Sequence, residues 1–286
     1  MGAMKVARSL LLAAACGVAL AAGVLAPRAS VAKPRALVIS TLPFATEAEQ
    51  RAIFGILSRY LARQLDRPVI FEAGQSYDAV IDKLSRGEID VAFLGAGAYV
   101  RARRSGDVRA ILRAVRHGLS SYYGQIITLR GSGIAQVGDL RGKRVAFVDR
   151  SSTAGYLYIV DILRAAGLDP KRDLQPVFAG GHDKVVRMVA AGEVAAGACF
   201  EGAEQSLAEP QKIVAIARSE PVPGDPVVVR AGLGRELVQA LRSGLVEMAT
   251  LPEAQAFFTF AEIDGFVPAA DGDYDAVAER LRRMDE

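Results

Sequence analysis

The residues best suited to chemistry in this sequence are a run of small hydroxyl side chains and one histidine. The run Ser151-Ser152-Thr153-Ala154-Gly155 lies between a strand-like segment and a helix-like segment. The first N–H groups of a helix have no partner within it, and with the helix dipole they attract anions. The hydroxyls of Ser152 and Thr153 could donate two further hydrogen bonds, although both residue types are also ordinary helix caps. We therefore predict an oxyanion site here.

His182 is the second candidate, because it follows Gly180-Gly181 at a turn and begins the next predicted helix. Both helix starts should lie at the carboxyl ends of parallel strands, where open α/β sheets bind ligands. An imidazole at that position can donate a hydrogen bond to an oxyanion. His117, which has no evident partner in the sequence, is interpreted as structural.

The segment that contains His182 is a second copy of an earlier one. With a constant offset of 105 (182 − 77), residues 76–98 align with residues 181–203. In each copy a turn opens a short amphipathic helix, a glycine ends it, and an apolar strand follows. Tyr77 corresponds to His182 and is predicted to face the ligand from the other lobe. Two similar lobes around one space indicate a clamp for a small molecule.

Apolar runs and turn residues predict strands that alternate with helices about every 10–15 residues, which is typical of parallel α/β sheets. The predicted strands are 36–39, 68–71, 89–94, 110–115, 125–129, 144–148, 213–217 and 227–229. Beside the repeat helices, helices are predicted at 47–64, 153–166, 235–249 and 273–284. The fold class is thus α/β, with two Rossmann-like lobes. Lobe one is 33–122 with 213–286, lobe two is 123–212, and two crossings form the hinge.

The N-terminal residues have the pattern of a secretory signal peptide. Lys5 and Arg8 precede an apolar run over 10–26, and the small-residue pattern at 30–32 follows. We predict a cleaved signal over residues 1–32 and a periplasmic protein. Two alternatives stay open, namely an uncleaved membrane anchor and a lipid anchor at Cys16.

Charge and cysteine content exclude several classes of protein. The formal net charge is +3. Lys5, Arg8 and Arg28 supply that charge, so the chain after residue 32 is neutral (+3 − 3 = 0). This removes the electrostatic case for binding nucleic acid. With Cys16 in the leader, Cys199 is alone, and no disulfide framework is expected.

Three more side chains are candidates for ligand contact. Tyr122 lies at the first crossing, Glu201 ends the strand of the second repeat, and Asp225 lies in the turn of the return crossing. Desolvated carboxylates repel an anion by several kcal/mol, so the acids make sense if the ligand also carries a cation. Tyr122 could instead pack on a sheet, and Asp225 could simply organise its Pro/Gly turn.

The sequence predicts no enzyme, cofactor or metal. It has no nucleophile–base pair and no phosphate-binding Gly-rich loop, and Gly95-x-Gly97 lacks the rest of a dinucleotide fingerprint. An acid–base pair of Glu201 and His182 is the enzymatic alternative.

The chain resembles the phosphate/phosphite/phosphonate-binding proteins of ABC importers, a subgroup of type II periplasmic binding proteins. The runs that carry the resemblance are Ser76-Tyr77-Asp78-Ala79, Asp90-Val91-Ala92-Phe93-Leu94-Gly95, Ser151-Ser152-Thr153-Ala154-Gly155, Gly181-His182-Asp183 and Pro223-Gly224-Asp225-Pro226.

That resemblance implies a small-molecule ligand bound by Ser152, Thr153 and His182, with Tyr77 and Tyr122 lining the cleft. Glu201 and Asp225 match the acids that hold the amine of aminophosphonates, so 2-aminoethylphosphonate is the favoured ligand. The family's third hydroxyl is replaced by Ala154, which puts the oxyanion in question. The expected partner is an inner-membrane ABC permease, and the protein is expected to be a monomer. A histidine-kinase sensor and a binder of phosphite or phosphate are the alternatives.

Overall fold

Two β-sheets organise the chain, one in each lobe. The computed structural model describes residues 34–285, and the predicted signal peptide lies outside them. From Pro34 onward the chain is one compact unit that contains both lobes. Within the described residues, no helix combines the length and the hydrophobicity needed to span a bilayer.

The first part of lobe one alternates strands and helices as predicted. Its elements are β1 (Leu37–Thr41), α1 (Glu47–Gln64), β2 (Val69–Ala73), α2 (Tyr77–Ser85), β3 (Val91–Phe93), α3 (Ala96–Ser105) and β4 (Val108–Val115). Helix α1 begins at a capping box, in which Thr46 and Glu49 exchange hydrogen bonds. β1 pairs in parallel with β2 and β3, so the loops after these strands meet at one edge of the sheet.

Lobe two repeats this order. Its elements are β5 (Ser121–Leu129), β6 (Arg144–Phe147), a π-helical turn (Thr153–Leu157) that continues into α4 (Tyr158–Ala165), β7 (Gln175–Phe178), α5 (His182–Ala190), β8 (Ala196–Phe200) and β9 (Ile213–Pro223). The chain then returns to lobe one as β10 (Pro226–Arg230), α6 (Arg235–Met248), α7 (Gln255–Ala261), β11 (Gly265–Pro268) and α8 (Asp275–Asp285).

The strand orders confirm the predicted duplication and the α/β fold class. Lobe one has the order β11-β4-β10-β3-β1-β2, and lobe two has the order β7-β6-β8-β5-β9. In each sheet, three parallel strands are followed by an antiparallel strand that arrives from the other lobe. The two lobes are therefore similar halves, and the antiparallel strand of each is the first strand after a crossing of the hinge.

The return crossing lies later in the chain than predicted. β9 runs beside β5 from Ile213, opposite Leu129, to Pro223, opposite Ser121, and so belongs to the sheet of lobe two. The crossing is Gly224-Asp225 rather than the predicted boundary at 212/213. A Cβ on Gly224 would lie 2.3 Å from the carbonyl oxygen of Ala114, so this close passage of the two hinge segments requires glycine.

Contacts between the lobes converge on the start of the π-helical turn. The Gly97 N–H, at the N-terminus of α3, donates to Thr153 Oγ1 at 2.8 Å. Arg101 of α3 donates to the Ser151 hydroxyl. A Cβ on Gly97 would lie 2.3 Å from the Ser151 carbonyl oxygen, so only glycine allows this approach.

Helix α8 also contacts lobe two, although its segment was assigned to lobe one. Arg280 Nε donates to Asp161 of α4 at 2.8 Å, and its guanidinium lies 4.1 Å from the centre of the Tyr158 ring. The same helix packs on α3 of lobe one. The C-terminal helix therefore bridges the two halves.

Candidate functional site

A cavity of about 610 Å³ lies between the two lobes. Six of the seven predicted site residues line it, namely Tyr77, Tyr122, Ser152, Thr153, His182 and Asp225. They come from both lobes and from both crossings of the hinge, so the fold assembles them from distant parts of the sequence. Ala154, the residue that departs from the family pattern, is buried and does not line the cavity.

The hydroxyls of Ser152 and Thr153 are held as hydrogen-bond donors toward the cavity. Ser152 Oγ accepts from the Gly155 N–H at 3.1 Å, and Thr153 Oγ1 accepts from the Gly97 N–H at 2.8 Å. Because main-chain N–H groups occupy an acceptor position of each oxygen, the hydroxyl protons remain for other partners. The N–H groups at the first positions of the turn also have no partner within it. This arrangement suits an oxyanion.

The imidazole of His182 is oriented by a hydrogen bond from the main chain. Its Nδ1 accepts from the Phe200 N–H at 3.2 Å, which leaves Nε2 to carry the proton of the neutral ring. Desolvation and the charge of Arg116 lower the pKa of His182 to about 3. The side chain is therefore a neutral N–H donor to the cavity, with the proton on Nε2.

We expect His182 to stay neutral from about pH 8 down to pH 5, two units above its lowered pKa. Long-range ¹H–¹⁵N spectra of the ligand-free protein should show the Nε2–H tautomer throughout. A His117→Gln variant assigns the signals, since the chain has two histidines. An imidazolium signal from His182 at pH 6 would contradict this electrostatic description.

Two tyrosines close the polar end of the cavity. Burial raises the pKa of Tyr77 well above its usual value. Burial and the nearby Asp225 carboxylate likewise raise the pKa of Tyr122. Both phenols are therefore neutral. The Tyr77 phenol can therefore donate a hydrogen bond to a ligand, whereas the Tyr122 hydroxyl donates to Asp225 Oδ1 at 3.0 Å.

Arg116 is a site residue that the sequence analysis missed. It lines the cavity, and its Nη2 donates to Asp225 Oδ2 at 3.0 Å. Its Nη1 donates to the carbonyl oxygens of Ala261 and Glu262, both at 2.7 Å, which caps the end of α7. Asp225 is thus neutralised by an arginine and a phenol, and the repulsion expected between its carboxylate and an anion is offset.

Glu201 lies outside this group, contrary to the prediction. It does not line the cavity, and its carboxylate accepts from Arg218 Nη2 at 2.7 Å on an exposed surface. The reason is the alternation of side chains along a strand. Phe200, the last residue of β8, faces the cavity, so the next side chain is directed elsewhere. The pair of acids expected to hold an amine is therefore not assembled.

Much of the remaining wall of the cavity is aromatic and was also missed. It is formed in lobe one by Phe44, Phe54, Phe93, Phe257, Phe260 and Phe266 and in lobe two by Phe200. Phe44 lies 5.8 Å from Phe260 and 6.4 Å from Phe54 between ring centroids. The cavity therefore has a polar end and an aromatic end.

The polar end can bind a compact anion through neutral donors. Among the described residues, no cluster of three or more His, Cys, Asp or Glu side chains could hold a metal ion. Cys199 is buried, and burial raises the pKa of its thiol, so it is not a thiolate at neutral pH.

Comparison with known proteins assigns the family. Residues 39–274 match the family described as "ABC transporter, phosphonate, periplasmic substrate-binding protein". This chain belongs to that family. The match confirms the resemblance drawn from the sequence and makes this a substrate-binding protein of a periplasmic transport system.

Two relatives of this chain have names that describe different functions. The phosphate-import protein PhnD of Mycolicibacterium smegmatis is 28% identical, with 93% of this chain and 90% of that protein covered. The tetrathionate sensor histidine kinase TtrS of Salmonella typhimurium is 29% identical over 147 residues, which are 50% of this chain and 25% of that protein.

Solved structures of family members share the fold. A binding protein component of an ABC phosphonate transporter from Pseudomonas aeruginosa superposes with a TM-score of 0.81 at 18% identity, covering 87% of each chain. PhnD1 of Prochlorococcus marinus, solved with methylphosphonate, has a TM-score of 0.81 at 19% identity and covers 88% of this chain and 99% of that one. These similarities support the two-lobed type II architecture.

Proposed function

We propose that this protein captures a phosphonate by closure of its two lobes and delivers it to an ABC permease of the inner membrane. The observation that carries the proposal is the set of oriented donors at one end of the cavity. The hydroxyl oxygens of Ser152 and Thr153 each accept a hydrogen bond from a main-chain N–H group. The Nδ1 atom of His182 also accepts one, from the Phe200 N–H. Their remaining protons suit the three oxygens of a phosphonate head group.

Closure completes this donor set. The Gly97 N–H belongs to lobe one and Thr153 belongs to lobe two, so their hydrogen bond exists only when the lobes meet. That bond occupies an acceptor position on Oγ1 and leaves the hydroxyl proton for the ligand. Ligand binding and lobe closure therefore favour each other, since both use the same hydroxyl.

An aminophosphonate was the ligand favoured by the sequence, and the site offers less support for it. Glu201 pairs with Arg218 outside the cavity, and both oxygens of Asp225 already accept hydrogen bonds. We therefore propose a phosphonate without a requirement for an amine, bound by a monomer that performs no chemistry on it.

Calorimetry on the purified protein tests the proposal. Methylphosphonate should bind one to one and more tightly than sulfate, phosphite or phosphate. The Glu201→Gln variant should bind 2-aminoethylphosphonate with a Kd within about twofold of wild type, because exposed ion pairs contribute little. Failure of every phosphonate to bind would refute the proposed function. If Glu201→Gln lost more than tenfold in affinity for 2-aminoethylphosphonate, Glu201 would have to contact the ligand.

A sensory role is the second candidate, because half of the chain matches a sensor histidine kinase. The same closed form would then contact a kinase ectodomain. Deleting the gene should abolish uptake of labelled methylphosphonate if the protein serves an importer. Unchanged uptake with the permease expressed from a constitutive promoter would instead favour the sensor.

A further inference from the structure

We propose that the organic group of the ligand is apolar and larger than methyl, so that the substrate is a phosphonate carrying an alkyl chain or a benzene ring. This inference rests on the proposed function and adds to it the nature of the second half of the ligand. The observation that supports it is the aromatic end of the cavity, which contributes none of the hydrogen-bond donors that bind the oxyanion.

The aromatic wall presents ring surface to the cavity rather than only to the core. Phe54, Phe257 and Phe266 are buried and form the base of the wall. Phe44, Phe93 and Phe260 are half-buried on top of them and line the same space. Ring contacts fix the group, with Phe54 5.3 Å from Phe93 and 5.4 Å from Phe257. Half-exposed rings in a concave site are typical of pockets that take apolar ligand groups.

The aromatic end adjoins the oxyanion site directly. A Cβ placed on Gly95 would lie 3.5 Å from Thr153 Oγ1, 3.9 Å from Asp225 Oδ1 and 4.0 Å from Leu42 Cδ1, so polar groups of the site and an apolar side chain meet at this residue. In lobe two, the His182 and Phe200 rings are 4.9 Å apart. A ligand whose head group binds Thr153 and His182 therefore places its carbon substituent against apolar surface.

The size of the cavity exceeds what a small phosphonate needs. A volume of 610 Å³ would hold about 20 waters at ~30 Å³ each. The five heavy atoms of methylphosphonate displace only about three or four of them by the same measure. A hexyl or phenyl substituent would replace further water along the aromatic wall, which is the favourable exchange of the hydrophobic effect.

Two carboxylates around the cavity are paired with arginines of the protein, since Asp183 pairs with Arg187 and Asp225 pairs with Arg116. Glu49 is a carboxylate whose pKa is lowered by hydrogen bonds from Thr46, and the charge of Arg187 also acts on it. Burial raises the pKa of Glu262, which disfavours its negative charge beside the wall. With these charges balanced within the protein, the ligand group at this end need not carry a compensating cation.

A homologous series of n-alkylphosphonates tests the inference on the wild-type protein. By calorimetry, affinity should rise about two- to fourfold for each methylene from methyl to hexyl, so that hexylphosphonate binds at least about 30-fold more tightly. Phenylphosphonate should also bind more tightly than methylphosphonate. Propylphosphonate should bind more tightly than 2-aminoethylphosphonate, which has a similar length but carries a charge.

A substitution in the aromatic wall tests whether the wall causes the increase in affinity along the alkylphosphonate series. Phe260→Ala should reduce the affinity for hexylphosphonate about tenfold more than the affinity for methylphosphonate. Phe178→Ala is the matched control, because Phe178 is a partly exposed phenylalanine of β7 that does not line the cavity. It should reduce both affinities equally or not at all.

The outcomes separate this inference from the function beneath it. If methylphosphonate binds and the affinity stays flat or falls along the series, the inference is overturned while the proposed function stands. Tighter binding of 2-aminoethylphosphonate than of propylphosphonate would overturn it as well. If no phosphonate binds, both are overturned. If Phe260→Ala reduced the affinities for hexylphosphonate and methylphosphonate equally, the aromatic wall would not be the surface that contacts the alkyl chain.

Discussion

Replacing Arg116 with glutamine should weaken the binding of methylphosphonate about 30-fold or more. Arg116 neutralises Asp225 through a contact of 3.0 Å, and without it a bare carboxylate would stand beside the bound anion. Like charges roughly 6–8 Å apart repel by about 2–3 kcal/mol at an effective dielectric constant of about 20. The side chains of the pair are 22% and 29% exposed, so we expect the lower end of that range, a loss of about 2 kcal/mol of binding free energy. Calorimetry at fixed ionic strength measures the loss.

Two further variants control this result. The double variant Arg116→Gln/Asp225→Asn should recover most of the affinity, because it removes the carboxylate that repels the ligand. Arg113→Gln should change affinity less than about threefold, since Arg113 pairs with Asp273 at similar exposure but does not line the cavity. Wild-type affinity in Arg116→Gln, or a double variant as weak as the single one, would show that the pair does not act on the ligand.

Replacing Thr153 with valine should weaken phosphonate binding about 10- to 100-fold. A hydrogen bond to a charged group contributes about 1.5–3 kcal/mol, and valine keeps the shape of threonine without its hydroxyl. The Gly97 N–H would also lose its acceptor when the lobes meet. The loss should appear in calorimetry with methylphosphonate and with hexylphosphonate alike, because both share the head group.

The control for this substitution is Thr259→Val, at a threonine that also lines the cavity but lies in α7 beside the aromatic wall. Its affinity for methylphosphonate should remain within about threefold of wild type. Thr153→Ser, which restores the hydroxyl, should recover most of the binding. If Thr153→Val binds as the wild type does, the start of the π-helical turn is not where the anion binds.

Local sequence signals predicted most of the fold, since they act over short distances. The α1 helix was predicted with the bounds it has, because apolar side chains recur along it at helical spacing. The duplicated segments predicted two similar lobes, and the strand orders confirm this. The least accurate boundary was at β9, whose apolar character stops before the strand does, because its last residues pair with β5 across an exposed surface.

The site was predicted where a helix start marks it and missed where tertiary contacts create it. Ser152, Thr153 and His182 begin helical segments, and that position is readable from turn residues. Arg116 reaches the cavity because the chain reverses at His117 and Gly118, which have positive φ angles of 50° and 72°. The aromatic wall depends partly on α7 and β11, which are too short for a periodic pattern.

Because Gly97 passes so close to Ser151, the size of the side chain at position 97 limits how far the two lobes can close. A methyl group there would lie 2.3 Å from the Ser151 carbonyl oxygen, which is closer than carbon and oxygen can approach, and would keep the lobes apart. A Gly97→Ala variant would therefore remain partly open, so that the ligand could enter the cleft but would dissociate readily.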